Sequence, residues 1–384
     1  MKLIGLMLAL ATLVSTARAH DHEWKSLFNG EDLTGWVIGG QKSGWGVRDG
    51  EIVALQAGRG GWLRTDRMYR DFELELDFWM PEGGNSGVGL RGSSNGDPAF
   101  SGFEVQILDT AGEEPNLRNC GAVYEAIPAS SMAAKPAGEW NTYRIRVVGD
   151  RLSVWLNGTM IHNAQRLDGR GFFRNPNQPL PLNTRATTGY IAVQDYGHSF
   201  RYRNIRIKDL SADPEPKGMV SLMDIDQWFQ DGGGSWTMTN GELVGKDGPG
   251  HLFTHKTYKD FELRGLVRVN ERGNGGIYFR ARPNPNGVWP IGYEAQIDNH
   301  DPKNFTGCLY ALAWPDVQGR PFSRDDAWFD YRIRVEGERI KTWINGKLTV
   351  DAIRDRYDDG HLALQTHHDG NELRFRDLRV LPLD

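Results

Sequence analysis

The chain is poor in cysteine, and beyond its first residues it has no long hydrophobic run. Its 384 residues include two cysteines, Cys120 and Cys308, which is too few for a disulfide framework or a cysteine-based zinc site. They stand at non-equivalent places in the two halves, so we expect two unpaired, buried thiols. No later stretch approaches the roughly 20 apolar residues of a membrane span. The chain also lacks a basic tract and has a formal net charge of −5, which argues against nucleic-acid binding.

The first residues have the pattern of a signal peptide. Lys2 precedes an apolar run from Leu3 to Val14 that is too short to span a bilayer, and an A-x-A site ends at Ala19. We therefore expect residues 1–19 to be removed and the mature chain to be periplasmic or secreted. Removal takes Lys2 and Arg18 away, which changes the formal charge from −5 to −7.

Glycine and aromatic residues are abundant. The chain has 47 Gly, 13 Trp, 12 Tyr and 16 Phe, a composition typical of turn-rich, all-β proteins. Aromatic rings also pack on the C–H faces of sugars, although we expect most of these rings to lie in the core.

Long segments of the chain occur twice. "YRDFELELDF" at Tyr69 matches "YKDFELRGLV" at Tyr258, and "WNTYRIRVVGDRLSVWLNG" at Trp140 matches "WFDYRIRVEGERIKTWING" at Trp328. The first copy has an additional loop, 163–189, before its last strands. The repeat predicts a domain over 20–210, a Pro-rich linker over 211–218 and a second domain over 219–384.

Both copies have the sequence pattern of short strands. "FELELDFW" alternates apolar and charged residues, and "YRIRVVGDRLSVWLNG" contains two alternating segments around a "GD" turn. No helical period is present. The pattern predicts an all-β chain with one antiparallel sandwich or jelly roll per copy.

A polar pair interrupts the expected core pattern of one strand in each copy. Glu104 and Gln106 in "GFEVQILD" correspond to Glu294 and Gln296 in "GYEAQIDN", and Gln194 corresponds to Gln365. A carboxylate can act as a general base or accept sugar hydroxyls, and an amide can both donate and accept. Arg91 and Arg280, also equivalent, could stabilise a developing oxyanion. The alternative is an ordinary solvated sheet face.

Histidines are unevenly distributed between the copies. The first copy has His198 near Gln194, whereas the second has His367, His368 and Asp369 after Gln365, together with His251, His255, His300 and His361. Histidines beside a carboxylate could hold a divalent metal, which makes His367, His368 and Asp369 candidates, but their spacing matches no known metal signature. No glycine-rich strand-to-helix turn is present, so we expect no nucleotide cofactor.

Taken together, "WKSLFNGEDLTGW", "GGNSGVGLRG", "GFEVQILD", "QDYGHSFRYRNIRI", "GYEAQIDNHDPKNFTGCLYA" and "LQTHHDGNELRFRDLRV" resemble the 3-keto-disaccharide hydrolase domain family. The resemblance implies two tandem concanavalin A-like jelly-roll β-sandwiches. It also implies glycoside substrates oxidised to a ketone at carbon 3, from which a base removes the carbon-2 proton before the aglycone leaves and water adds. A separate sugar 3-dehydrogenase would perform the oxidation.

The resemblance assigns site residues in both copies. The catalytic candidates are Glu294, Arg280, His367, Glu104, Arg91 and His198. The substrate-binding candidates are Gln296, Gln365, Asp298, Gln106, Gln194, Asp109 and Asn85. Tyr196 stands where the family pattern has histidine, so the second copy is the better-equipped enzyme. The alternatives are a tandem carbohydrate-binding protein without turnover, and a pair in which one copy only braces the other.

Overall fold

The computed structural model describes residues 23–55, 61–171, 181–197, 199–315 and 322–383. The predicted signal peptide, residues 1–19, and the candidate His198 lie outside the described residues. Among the helices in these ranges, none combines the length and apolarity required to cross a membrane.

The first half of the chain forms thirteen described strands and one short α-helix. The strands are β1 Lys25–Ser26, β2 Trp36–Ile38, β3 Trp45–Arg48, β4 Glu51–Ala54, β5 Gly61–Thr65, β6 Phe72–Trp79, β7 Asn85–Gly92, β8 Phe103–Leu108, β9 Trp140–Val148, β10 Arg151–Leu156, β11 Thr159–Arg166, β12 Tyr190–Asp195 and β13 Arg201–Asp209. The helix, α1, covers Pro98–Ser101 between β7 and β8, and 3-10 turns lie at Lys42–Gly44 and Leu182–Thr184.

The second half repeats this order. Its strands are β14 Val220–Ser221, β15 Trp228–Gly232, β16 Ser235–Thr239, β17 Glu242–Lys246, β18 Gly250–Tyr258, β19 Phe261–Val269, β20 Asn274–Arg282, β21 Ile291–Asp298, β22 Phe329–Glu336, β23 Arg339–Ile344, β24 Lys347–Ile353, β25 Gly360–Thr366 and β26 Glu372–Pro382. A 3-10 turn covers Ile225–Gln227.

Each half is a sandwich of an eight-stranded and a five-stranded antiparallel sheet. The five-stranded sheets have the order β2-β5-β12-β7-β8 and β15-β18-β25-β20-β21. The eight-stranded sheets follow β11-β10-β9-β6-β13-β4-β3 and β16-β17-β26-β19-β22-β23-β24, with β1 and β14 pairing at β13 and β26. The prediction of an all-β chain with two tandem concanavalin A-like jelly-roll sandwiches is confirmed.

Alternation along the strands builds the two cores. Phe72, Leu74, Leu76 and Phe78 of β6 are fully buried, whereas the charged residues between them face outward. The second sandwich has an equivalent core between its own two sheets. The two cysteines are free and buried, as expected.

The two sandwiches contact each other through a small apolar cluster. It consists of Met68, Ala186, Tyr190, Leu266 and Trp328. Ala186 lies in the additional loop of the first copy, and in the same loop the Thr184 carbonyl accepts a hydrogen bond from the Trp328 N–H at 3.0 Å. The described part of that loop therefore packs on the second sandwich.

Candidate functional site

The five-stranded sheet of the second sandwich carries a row of polar residues on its outer face. Strand register aligns His251 of β18 with Gln365 of β25, then Gly276 of β20 and Gln296 of β21. The next row contains Tyr278 of β20 opposite Glu294 of β21. Because side chains alternate along a strand, these residues share one face of the sheet.

Glu294 lies on β21, the edge strand of this sheet, and is 9% exposed. Its Oε2 accepts a hydrogen bond from the Tyr278 hydroxyl at 2.8 Å, and the Gln365 amide donates to the same hydroxyl at 3.2 Å. Burial raises the pKa of Glu294 to about 7, although the Tyr278 hydrogen bond acts to lower it. Gly276 gives the carboxylate room, since a Cβ there would lie 2.4 Å from Glu294 Oε1.

A cleft of about 400 Å³ opens above Glu294. Two of its lining residues are exposed aromatics, Trp289 at 41% and Tyr310 at 45%, and they lie on different loops. The other lining residues include Asn274, Gln296, Arg356, Tyr357, Gln365 and His367. A carboxylate under a cleft lined by amides and aromatic rings is suited to a sugar ring, because aromatic faces pack on apolar faces and amides bind hydroxyls.

Two histidines flank the indole of Trp289. The His367 ring stacks on it with centroids 4.7 Å apart, and His251 meets it edge-on at 6.0 Å. Burial lowers the pKa of His367, with a smaller contribution from His368. Burial also lowers the pKa of His251 to about 4.

The first sandwich has an equivalent carboxylate in a different setting. Glu104 is buried, and the Gln106 amide nitrogen, in its better orientation, donates to Glu104 Oε1 at 3.1 Å and to the Ser86 carbonyl at 2.8 Å. Burial raises the pKa of Glu104 well above its usual range, and the nearby Asp97 raises it further.

The two outer faces differ at three equivalent positions. Gly89 replaces Tyr278, and Pro98 of α1 packs so closely that a Cβ on Gly89 would lie 2.6 Å from it. Trp62, the register partner of Gln194, stands at the position of His251. Tyr196, 64% exposed, stands at the position of His367. The first sandwich thus retains the carboxylate but has no imidazole at these positions and no hydroxyl at the position of Tyr278.

The two arginines that the sequence analysis assigned to the catalytic set do not line the cleft around Glu294. Arg280 donates to the carbonyls of Lys259, Tyr357 and Gly337 and to Asp260. Arg91 likewise bonds carbonyls and a carboxylate of neighbouring turns. Both have a positive φ at a β-bulge, 48° and 54°, which redirects the side chain from the face that strand alternation predicts.

The two aspartates that the sequence analysis assigned to substrate binding accept hydrogen bonds from the backbone of loops. Asp109 Oδ2 accepts from the Gly83 N–H at 2.9 Å, and Asp298 Oδ1 accepts from the backbone of His300 and Asp301. Asn85 begins β7 and is half-buried, as is Gln194, whereas Gln365 is buried in the cleft.

The metal candidates do not form a cluster. The ring centroids of His367 and His368 are 5.6 Å apart with an interplanar angle of 74°, and Asp369 is exposed. Within the described ranges, no group of three or more His, Cys, Asp or Glu is placed to hold a metal ion.

Sequence comparison identifies the family. The model of the 3-keto-alpha-glucoside-1,2-lyase-like domain matches residues 23–208 and 218–381. The chain belongs to this family. A 3-keto-disaccharide hydrolase of Bacteroides thetaiotaomicron is 27% identical over 233 residues, 48% of this chain and 78% of that protein. Family membership supports a glycoside-acting enzyme.

Similar solved structures include a protein of Parabacteroides distasonis assigned to the glycosyl hydrolases. It is 30% identical, covers 49% of this chain and 100% of its own, and has a TM-score of 0.43. A carbohydrate-binding module, CBM66 of Bacillus subtilis, is 19% identical over 42% of this chain and 99% of its own, with a TM-score of 0.33.

Proposed function

We propose that the protein cleaves glycosides whose sugar carries a ketone at carbon 3, and that the second sandwich performs the chemistry. The observation that carries the proposal is Glu294, a buried carboxylate with a pKa of about 7 at the base of an open cleft. A general base works best when its pKa lies near the working pH. A ketone at carbon 3 acidifies the carbon-2 proton, which such a base can remove.

The reaction proceeds in balanced steps. Glu294 takes the carbon-2 proton, and the electrons of the C–H bond form an enolate with the ketone. The enolate then collapses to an enone as the bond from carbon 1 to the aglycone oxygen breaks and that oxygen gains a proton. Water adds its oxygen to carbon 1 and a proton returns to carbon 2, so the net reaction is hydrolysis. The two-carboxylate arrangement of ordinary glycosidases is not required.

The other groups of the cleft bind and orient the sugar. The amides of Gln296 and Gln365 can donate to hydroxyls and accept from them. The exposed rings of Trp289 and Tyr310 offer surfaces for the apolar faces of sugar and aglycone. A separate sugar 3-dehydrogenase supplies the ketone, and the protein acts outside the cytoplasm.

Product formation from a 3-keto-glucoside tests the proposal. Wild type should release the aglycone, and Glu294→Gln should lose at least about 10²-fold in kcat while still binding the sugar. The matched variant in the other sandwich, Glu104→Gln, should retain turnover. Equal melting temperatures of wild type and the two variants would exclude misfolding as the cause of any loss. Full activity in Glu294→Gln would contradict the assignment of the base.

One observation favours a second function for the first sandwich. Its outer face retains Glu104 and Gln106 but has Gly89, Trp62 and Tyr196 where the second sandwich has Tyr278, His251 and His367. These residues of the first sandwich are suited to binding a sugar rather than to cleaving it. If wild type bound 3-keto-glycosides without releasing product from any of them, the whole chain would be a tandem carbohydrate-binding protein.

A further inference from the structure

A buried histidine next to the Glu294 cleft has no hydrogen-bond partner. His251 of β18 is 0% exposed, and within the part of the chain that the structure describes neither of its ring nitrogens is paired. A buried polar group left unpaired costs about 1–3 kcal/mol, and folded proteins keep few of them. The sequence analysis counted His251 among the histidines of the second copy without assigning it a role.

The surroundings of His251 are aromatic. Tyr278 and Trp289 meet the ring edge-on at centroid distances of 5.9 and 6.0 Å, and Phe253 lies 6.2 Å away. Burial in this environment and the nearby His367 keep its pKa low, so the imidazole is neutral at pH 7. A neutral imidazole carries one N–H donor.

His251 shares the outer face of the sheet with the residues of the cleft. It is the register partner of Gln365, and Tyr278 contacts both His251, which its ring meets edge-on, and Glu294, to which its hydroxyl donates. A sugar lying across Tyr278 would have the Glu294 carboxylate on one side and the His251 imidazole on the other. We propose that His251 is a catalytic residue that donates its N–H to the oxygen of the carbon-3 ketone.

The chemistry of the reaction needs such a donor. When Glu294 removes the carbon-2 proton, negative charge develops on the ketone oxygen. A fixed donor in a dry site stabilises that charge more than it stabilises the neutral ketone, so it lowers the barrier without tightening substrate binding. No proton is transferred to the oxygen, since a neutral imidazole can polarise a carbonyl as it stands.

The indole of Trp289 meets the His251 ring edge-on, with the centroids 6.0 Å apart. Trp289 lies just before β21, is 41% exposed and faces the cleft. We expect the sugar to displace the indole edge from His251, which exchanges an aromatic neighbour for a carbonyl oxygen. In the first sandwich the equivalent residue is Trp62, whose side chain donates a hydrogen bond to Asp97 and provides no imidazole.

Steady-state kinetics on a 3-keto-glucoside tests this role, which rests on the proposed function. His251→Phe keeps an aromatic ring but removes both nitrogens, and it should lower kcat by about 10²–10³-fold with little change in KM. His251→Asn restores an N–H donor and should recover at least tenfold of that loss. His255→Gln is the control, because His255 belongs to the same strand but is exposed, whereas His251 is buried.

The outcomes separate this inference from the proposed function. A folded His251→Phe variant with wild-type kcat, or one that His251→Asn does not improve, would overturn the role of His251. A change in KM alone would also overturn it, since that would indicate packing rather than oxyanion stabilisation. If wild type had no turnover, or if Glu294→Gln were fully active, the result would contradict the proposed function itself rather than the role of His251 alone. The pH at which kcat/KM rises should stay the same in His251→Phe, because Glu294 is unchanged.

Discussion

At the scale of single residues, the proposed chemistry depends on the protonation of one carboxylate in each sandwich. Glu294 and Glu104 occupy equivalent positions, and burial raises the pKa of both. They differ in their neighbours, because Glu294 accepts from the Tyr278 hydroxyl, whereas Glu104 lies near the acidic Asp97. A hydroxyl donor favours the ionised, basic form of Glu294, while a second carboxylate disfavours that form of Glu104.

Tyr278 should set the pH at which the enzyme becomes active. The rate should rise with pH through about 7, as Glu294 loses its proton. Tyr278→Phe removes a hydrogen bond that lowers this pKa, so the rising limb of kcat/KM should move up by about one to two pH units. Tyr310→Phe, in the same cleft, is the control. A limb that stayed in place or moved down would contradict the account.

Glu294 should also make the folded protein less stable as the pH rises. It binds its proton with a pKa of about 7 when folded and near 4.5 when unfolded, so between these values the unfolded chain binds fewer protons. Its contribution to stability is therefore present below pH 4.5 and lost by pH 7, a change of about 3 kcal/mol. Urea denaturation across this range should show that slope in wild type and a smaller slope in Glu294→Gln.

The sequence predicted the residues that the two copies share better than those that they do not. Glu294, Gln296 and Gln365, which line the cleft, were selected because the first copy has the same residues. Tyr278 and His251 were not assigned, since glycine and tryptophan stand at their positions in the first copy. A comparison of the differences between the copies would have indicated both.

At the scale of strands, apolar alternation predicted the sheets but could not predict the bulges. Arg280 lies two residues after Tyr278 on β20, so regular alternation would place both on the cleft face. The bulge and the positive φ of Arg280 turn its side chain to the neighbouring turns. Because most residue types can occupy a bulge, the sequence carries no clear sign of one.

Gly276 of β20 should be required for activity more than for folding. An alanine Cβ would lie 2.4 Å from Glu294 Oε1, so the carboxylate would have to move. A small displacement of a reacting group can cost about 10²-fold in rate, and we expect a loss of that size in Gly276→Ala. The matched control is Gly87→Ala, which crowds Glu104 in the first sandwich. Equal activity of the two variants would contradict a second-sandwich site.

At the scale of the whole molecule, the segment that the sequence marked as a linker is packed between the sandwiches. Glu215 is buried, accepts from the Met68 N–H of the first half at 3.1 Å and pairs with Arg379 of the second. The proline-rich composition indicated a connection but could not show these contacts, which depend on residues distant in sequence.

Removal of Glu215 should weaken the connection between the halves. Glu215→Ala leaves Arg379 buried without its carboxylate, which typically costs about 3–5 kcal/mol. Calorimetry should show a lower melting temperature and two separated transitions where wild type has one. Glu336→Ala, which breaks the exposed pair with Arg334, should change stability by less than about 1 kcal/mol. Equal effects of the two variants would show that the linker contacts do not couple the halves.

The central claim, that Glu294 removes the carbon-2 proton, is tested most directly by the reaction in D₂O. The 3-keto sugar released by wild type should carry deuterium at carbon 2, detected by NMR and mass spectrometry and corrected for exchange of the product alone. Glu104→Gln should give the same labelled product, and Glu294→Gln should give neither label nor cleavage. Release of a product that retained its original hydrogen at carbon 2 would contradict the account, because cleavage would then proceed without abstraction of that proton.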